Sequence, residues 1–350
     1  MQAWKGLRSG TEEEEQMKKE VSGKKGKAGR VLAIAGIVLA ALVLVYTAVC
    51  LFAGPLVYPD FYGKAERGAK IPDLWNDFVP QGVTAFEGSD ETLVCGYMPG
   101  GQNSRIYRIA PDGRVTKILL ENEDGTPYTG HAGGFTAAGK YIYISNAQKI
   151  FVLDAAAVTE AADGDTVRFA GRFSVPCRAS FCSSDGRMLY VGEYHADGYE
   201  TDESHIRTTA DGTFEALVFA YRLSEDGPFG IGDTESPEKA YAVCDEVQGF
   251  AVLPDGTAVL SCSAGLNASM LRMYRTDGEA DSSFSADSGE VPVVYLDASR
   301  ETRTVKAPHM SEDLEYRNGR LHIGFEAGAK KYGGGLLPFS VTNVMKMDVE

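Results

Sequence analysis

The stretch PQGVTAFEGSDETLVCGYMPGGQNSRIYRIAPDG (80–113) returns in plan as VQGFAVLPDGTAVLSCSAGLNASMLRMYRTDG (247–278). Each runs through Gln-Gly, a strand, a turn, a strand ending in a small residue, a Gly/Asn loop, and a strand closing in Asp-Gly. Three looser copies follow the same order. They are AGGFTAAGKYIYISNAQKIFVLDA (132–155), RASFCSSDGRMLYVGEYH (178–195) resuming at ALVFAYRLSEDG (216–227), and SEDLEYRNGRLHIGFEAGAKKY (311–332) resuming at VTNVMKMDVE (341–350). Between them lie the strand-like segments VTKILLE (115–121), VRFAGRF (167–173), KAYAV (239–243) and VPVVYLD (291–297).

Each unit thus offers three strands after its Gly-Gly or Gln-Gly position and one before it. Pro254-Asp255-Gly256, Ser184-Asp185-Gly186, Asn318-Gly319 and Ala138-Gly139 supply the turns, because Gly, Asn and Asp tolerate the left-handed backbone that tight hairpins demand. Four-stranded units every 40–50 residues or so are the pattern of propeller blades. A sandwich or barrel also has many short strands, but it has no reason to repeat one glycine position and one strand order five times. The reading is an all-β, five-bladed propeller. A sixth blade would have to come from 196–213 or from the segment before Phe78.

Upstream of the repeats, residues 31–58 carry no charge (VLAIAGIVLAALVLVYTAVCLFAGPLVY) and predict a transmembrane helix. The run exceeds the apolar core of an ordinary secretory leader, so an uncleaved anchor is expected. Lys18, Lys19, Lys24, Lys25, Lys27 and Arg30 precede it, which places the N-terminus in the cytoplasm and the repeats outside. Residues 1–30 then form a charged, disordered cytoplasmic tail, 59–77 a stalk and lead-in, and 78–350 the extracytoplasmic propeller.

The 350-residue chain has a net charge of −15, and residues 1–58 contribute +3, so −18 falls on the external part. That excess excludes nucleic acid as a partner, because phosphate backbones select basic surfaces. Of six cysteines, Cys177–Cys182 and Cys244–Cys262 are the conceivable disulfides in an oxidising compartment. Small buried thiols are the favoured reading, since no zinc spacing is present.

The chain resembles extracytoplasmic bacterial β-propellers of the YVTN/NHL type, above all secreted or anchored proteins of Gram-positive bacteria. The resemblance rests on FVPQG (78–82), CGYMPGGQNSRIY (95–107), GHAGG (130–134), VGEYHADGYETDESH (191–205), VQGFAV (247–252) and HMSEDLEYRNGRLHIGFEAGAKKY (309–332). It implies fold and topology, and it transfers no catalytic residue.

In a propeller the first strand of each blade lines the central channel. Aligning the units puts Gln81, Gly133, Ala179, Gln248 and Glu312 at one level, with Gly82, Gly134, Ser180, Gly249 and Asp313 next. The ends of the second strands bring Tyr97, Glu193, Tyr194 and Glu326 to the same mouth, and His131 and His309 stand just before first strands. The candidate ligand-binding set is therefore Gln81, His131, Glu193, Tyr194, Gln248, His309, Glu312, Asp313 and Glu326. Of Glu312 and Asp313, strand alternation sends one to the channel and packs the other between blades.

Two functions fit. The first is a non-catalytic propeller that binds a ligand or a protein partner at the cell envelope. The alternative is a hydrolase or lactonase at the mouth, in which His131 with Glu193, Glu312 or Asp313 would hold a divalent cation in the channel. No Gly-x-Ser-x-Gly, phosphate-binding loop, His-Glu-x-x-His or Cys-x-x-Cys motif occurs.

Overall fold

The structure is a computed structural model that describes residues 3–209 and 212–349. It divides into two units, Met1–Ala53 and Gly54–Glu350.

The first unit is a helix, Ala3–Phe52. Its segment Gly29–Cys50 is long and apolar enough to cross a bilayer, and a signal sequence has the same composition. The charged tail, expected to be disordered, is part of this helix. Glu, Lys and Gln are strong helix formers, and Glu14–Lys18 and Glu15–Lys19 stand at the i, i+4 spacing that favours a helix. The apolar run also ends earlier than expected. Gly54–Val57 and Pro59–Tyr62 are separate short helices of the second unit, where Tyr58 and Phe61 are buried.

The second unit is a five-bladed β-propeller. Blade 1 is the meander Val79–Thr84, Thr92–Tyr97, Arg105–Ile109 and Val115–Glu121, with Thr166–Arg168 added in parallel at its edge. Blade 2 runs Gly134–Ala138, Tyr141–Asn146, Lys149–Asp154 and Gly171–Ser174. Blade 3 runs Ala179–Ser184, Met188–Glu193, Ala216–Arg222 and Lys239–Val243, and extends through Gly289–Tyr295 and Ser282–Ala286. Blade 4 is Val247–Val252, Ala258–Cys262, Ser269–Tyr274 and Glu301–Ala307. Blade 5 is Ser311–Arg317, Arg320–Phe325 and Asn343–Met347, closed on its outside by Ala65–Lys70. The five innermost strands touch in ring order, and five apolar clusters fill the five gaps between blades.

The fourth strand of blades 1–4 comes after the other three, not before them as the sequence suggested. Turns such as Pro111-Asp112-Gly113 are too short to carry the chain to a neighbouring blade. Gly113 takes φ +85, and the Asp112 carboxylate accepts from Arg114 N at 3.0 Å. Two segments were misplaced. VRFAGRF divides between the edge of blade 1 and the outer strand of blade 2. VPVVYLD pairs in parallel with Lys239–Val243 on blade 3, leaving ETRTVKA (301–307) as the outer strand of blade 4.

The lead-in is also more than a stalk. Ala65–Lys70 pairs antiparallel with Asn343–Met347, with Ala65 opposite Met347 and Lys70 opposite Asn343. The first and last strands of the unit thereby close the ring.

None of the six cysteines is in a disulfide among the described residues. Cys95, Cys177, Cys182 and Cys262 are buried, and the Cys244 and Cys262 sulfurs lie 3.6 Å apart.

Candidate functional site

Four of the five inner strands carry a bulge near their first turn, and the bulges build the mouth. In blade 1, Pro80 faces Gly96 and Gly82 faces Cys95, so Gln81 is an extra residue. In blade 4, Gln248 is extra between Val247 and Gly249. In blade 3 the extra residue is Ser180, and in blade 5 the slip falls between Ser311 and Leu314, at Glu312 and Asp313. A bulge re-aims a side chain that regular alternation would send elsewhere. Here it turns Gln81, Ser180, Gln248 and Glu312 toward one cavity of about 460 Å³. The equivalent residue in blade 3 is thus Ser180, one position later than the sequence alignment placed it.

Glycines follow because the inner strands crowd. A Cβ on Gly134 would stand 2.1 Å from Cys182 N, and one on Gly82 would stand 2.3 Å from the Phe135 Cβ. The same slip corrects the expectation for Glu312 and Asp313, since alternation fails where both stand. Asp313 does not pack between blades. Its carboxyl reaches across the axis and accepts from Phe135 N at 3.1 Å and Val83 N at 3.4 Å. Glu315 sits beyond it, accepting from the Thr136 hydroxyl and from Arg317 Nη2. One strand of blade 5 therefore plugs the channel with its own side chains.

Glu312 and Glu326 meet at the floor of the cavity and hydrogen-bond to each other. Burial, then the Glu326 charge, then Asp313 raise Glu312 well above the usual carboxylic range. Burial raises Glu326 too, against hydrogen bonds from Tyr332, Glu312 and Gln81 that favour its charged form. The Gln81 amide donates to Glu326 Oε2 at 3.0 Å. Both carboxyls are thus raised, and the surroundings favour the proton on Glu312 more than on Glu326. Burial raises Asp313 and Glu315 as well.

The walls come from His131, Asn146, Arg178, Tyr194, Tyr199 and Lys331. His131 stacks on Tyr97 with ring centroids 4.6 Å apart, and Lys331 Nζ donates to the Tyr97 hydroxyl at 2.6 Å. Enclosure by the cavity walls and then the Lys331 ammonium lower the proton affinity of His131, although its outer edge reaches solvent and moderates the effect.

Of the nine candidates, the cavity thus gathers Gln81, His131, Tyr194, Gln248, Glu312 and Glu326. Asp313 lies below it in the plugged channel. His309 is buried outside the lining, and burial lowers its proton affinity. Glu193 is elsewhere. It still pairs in register with Ala179, and its carboxylate accepts from His205 Nδ1 at 2.7 Å and from Leu217 N at 3.1 Å. Both partners of that ion pair are almost wholly buried, with His205 set edge-on to Phe219 and Phe284. The pair fastens the 194–215 insertion to blade 3, so the metal set of His131, Glu193 and Glu312 does not assemble. His205→Ala is expected to cost about 3 kcal/mol, because it strands a buried carboxylate. A urea midpoint within error of the parent would contradict this.

Lys331, Tyr332, Arg178 and Tyr199 escaped the sequence reading. Lys331 and Tyr332 lie in a short turn after the second strand of blade 5, the same class of loop that supplied Tyr194 and Glu326. That equivalence was the available signal. A larger cleft, of about 980 Å³, runs along the rim between Arg67–Asn76 and the outer part of blade 1. No buried carboxyl pair converges there, and its Asp73 is turned onto the Tyr107 hydroxyl at 2.6 Å.

No protein-family model matches the chain, and no curated protein matches it. Similar solved structures include the glutaminyl cyclase of Myxococcus xanthus, at 10% identity and a TM-score of 0.42 over 82% of this chain and 97% of that one. An oxidoreductase (glucose dehydrogenase) of Thermus thermophilus matches at 13% and 0.40 over 81% and 99%. Hydrazine synthase of Kuenenia stuttgartiensis matches at 11% and 0.34, over 70% of this chain and only 55% of the other.

Proposed function

We propose that the protein is a membrane-anchored, extracytoplasmic propeller that binds a small hydroxyl- or amide-rich ligand at its channel mouth. The observation that carries this reading is the convergence of Gln81, Gln248, Glu312 and Glu326 on one cavity, three of them at or beside strand bulges. Two carboxamides, the raised Glu312–Glu326 carboxyl pair, His131, and the phenols of Tyr194 and Tyr332 present donors and acceptors of both kinds. Such a lining matches a molecule that itself offers alternating donors and acceptors. The cavity is of the size that small-molecule sites have.

The alternative, hydrolysis, draws on the Glu312–Glu326 pair, whose surroundings favour the proton on one member. Glycosidases, however, hold their carboxyls roughly 5 Å or more apart so that the sugar fits between them. Carboxyls hydrogen-bonded to each other leave no such room, so binding is the preferred reading.

The test is a thermal-shift screen of neutral sugars, polyols and small amides on the purified chain, followed by calorimetry on any hit. A hit should lose at least tenfold in affinity in Gln248→Ala. Steady release of a cleaved product from a hit would favour the hydrolase. The orientation has its own test. A reporter fused after Glu350 should be active only outside the cytoplasm, and replacing the six basic residues at 18–30 with Gln should weaken that bias.

A further inference from the structure

A second constellation lies on blade 3, outside the mouth cavity. His195 lies two residues past the end of the second strand, Glu215 just before the start of the third, and Asp245 two residues past the outer strand. Gly192 pairs with Val218 there, and continuing that register past the sheet end sets His195 directly opposite Glu215. Glu200 returns to the same point through the turn in which Tyr199 N donates to Ala196 O at 2.8 Å, with Gly198 at φ +83. The His195 Nε2 then lies 2.7 Å from Glu215 Oε2 and 3.6 Å from Glu200 Oε2. On the other side of the ring, Nδ1 meets Asp245 Oδ1 at 2.9 Å.

The backbone holds these groups in place. Glu246 N donates to the His195 carbonyl at 2.8 Å, and the Thr201 hydroxyl donates to the Glu215 carbonyl. The imidazole itself is buried, while the three carboxylates open toward solvent.

Charge is the second argument. Three carboxylates surround one imidazole, and no Lys or Arg forms an ion pair with any of them among the described residues. Even a protonated His195 would leave two negative charges, and its single Nε2–H could serve only one of the two glutamates that face it. The donor atoms of His195, Glu200 and Glu215 all lie within 4.8 Å of one another. One imidazole nitrogen and two carboxylates suit a first-row divalent ion, at metal–ligand distances of about 2.0–2.2 Å. A carboxylate on the far imidazole nitrogen is the usual way a ligating histidine is fixed in its tautomer and made more basic.

We infer that His195, Glu200 and Glu215 bind a divalent transition-metal ion such as Zn²⁺, with Asp245 as the residue that positions the imidazole. The ion clips the ends of the 195–200 turn together. That turn carries Tyr199 and is flanked by Tyr194, and the two rings meet edge-on at 5.7 Å in the wall of the mouth. The site therefore braces part of the cavity without touching its carboxyl pair.

The experiment uses the full-length chain in detergent, without a polyhistidine tag. Zn²⁺ is titrated by calorimetry, and Co²⁺ is followed by absorption. One equivalent of Zn²⁺ should bind, and Co²⁺ should give ligand-field bands with no thiolate charge-transfer band. His195→Gln and Glu215→Gln should weaken Zn²⁺ at least 100-fold. Asp245→Asn should weaken it about 10–100-fold, as loss of an outer carboxylate does elsewhere. Glu200→Gln, at an exposed position, keeps the test open if the inner variants fail to fold, and should weaken binding at least tenfold. Cys262→Ser should change nothing. Zn²⁺ should also slow amide exchange in 194–200. Absence of stoichiometric uptake by the folded parent, binding that survives His195→Gln, or binding lost in Cys262→Ser would each overturn the assignment.

Discussion

A chain beginning at Gly54 is expected to unfold in one cooperative transition, and a chain beginning at Pro72 to have none. The difference is the segment read from sequence as a mere lead-in. Ala65–Lys70 supplies the outer strand of blade 5, and without it the edge of Asn343–Met347 is left unpaired. The shorter chain also loses Tyr58 and Phe61 from the cluster between blades 4 and 5, and Ile71 from the cluster between blades 5 and 1. Each such side chain is worth about 1.5–3 kcal/mol of burial. Together they amount to about 6 kcal/mol, against the 5–15 kcal/mol or so that holds a typical domain together. The bare edge would in addition recruit other chains. Urea denaturation followed by circular dichroism separates the outcomes. Equal midpoints for the two chains would show that the ring does not depend on this closure.

The closing strand was illegible for a physical reason. AERGAK has none of the β-branched or aromatic residues that mark a strand, and its pairing is fixed by a partner more than 270 residues away. ETRTVKA was overlooked similarly. It is an outer strand with one face in water, so its charges mask the alternation that buries Val305 and Ala307. The inner strands were legible because both of their faces are covered and their glycines cannot be replaced without a clash. The site was readable to the extent that it repeats. Gln81, Gln248 and Glu312 stood out because each occupies the bulge position of its blade. Glu193 stood at the matching end of a second strand, but its side chain serves the insertion that follows. A periodic alignment carries no information about such an insertion. Likewise Arg178 and Lys331 reach the cavity from loops of unequal length, and only the assembled ring brings them together.

Glu312→Gln is expected to preserve the fold, abolish binding at the mouth, and alter how stability depends on pH. Burial and the Glu326 charge raise the Glu312 carboxyl well above its ordinary value, so the folded chain holds a proton that the unfolded chain releases above pH 4.3 or so. A raised carboxyl stabilises fully below the unfolded value, and that contribution is lost as pH rises through the folded one. Each tenfold difference in proton affinity is worth about 1.4 kcal/mol. Glutamine keeps the shape of the protonated acid, and its amide can donate to Glu326. The variant should therefore gain on the parent from pH 5 to pH 8. Histidines act in the opposite sense. Buried His322, pushed down to about 4 by burial and then by Lys346, Arg320 and Arg317, destabilises the fold as pH falls below its unfolded value. That effect is common to both proteins and cancels in their difference. Paired urea titrations at pH 5 and pH 8 read the slope, and calorimetry with a mouth ligand reads the site. If Glu312→Gln matched the parent in both, the carboxyl pair could not be the centre of the site.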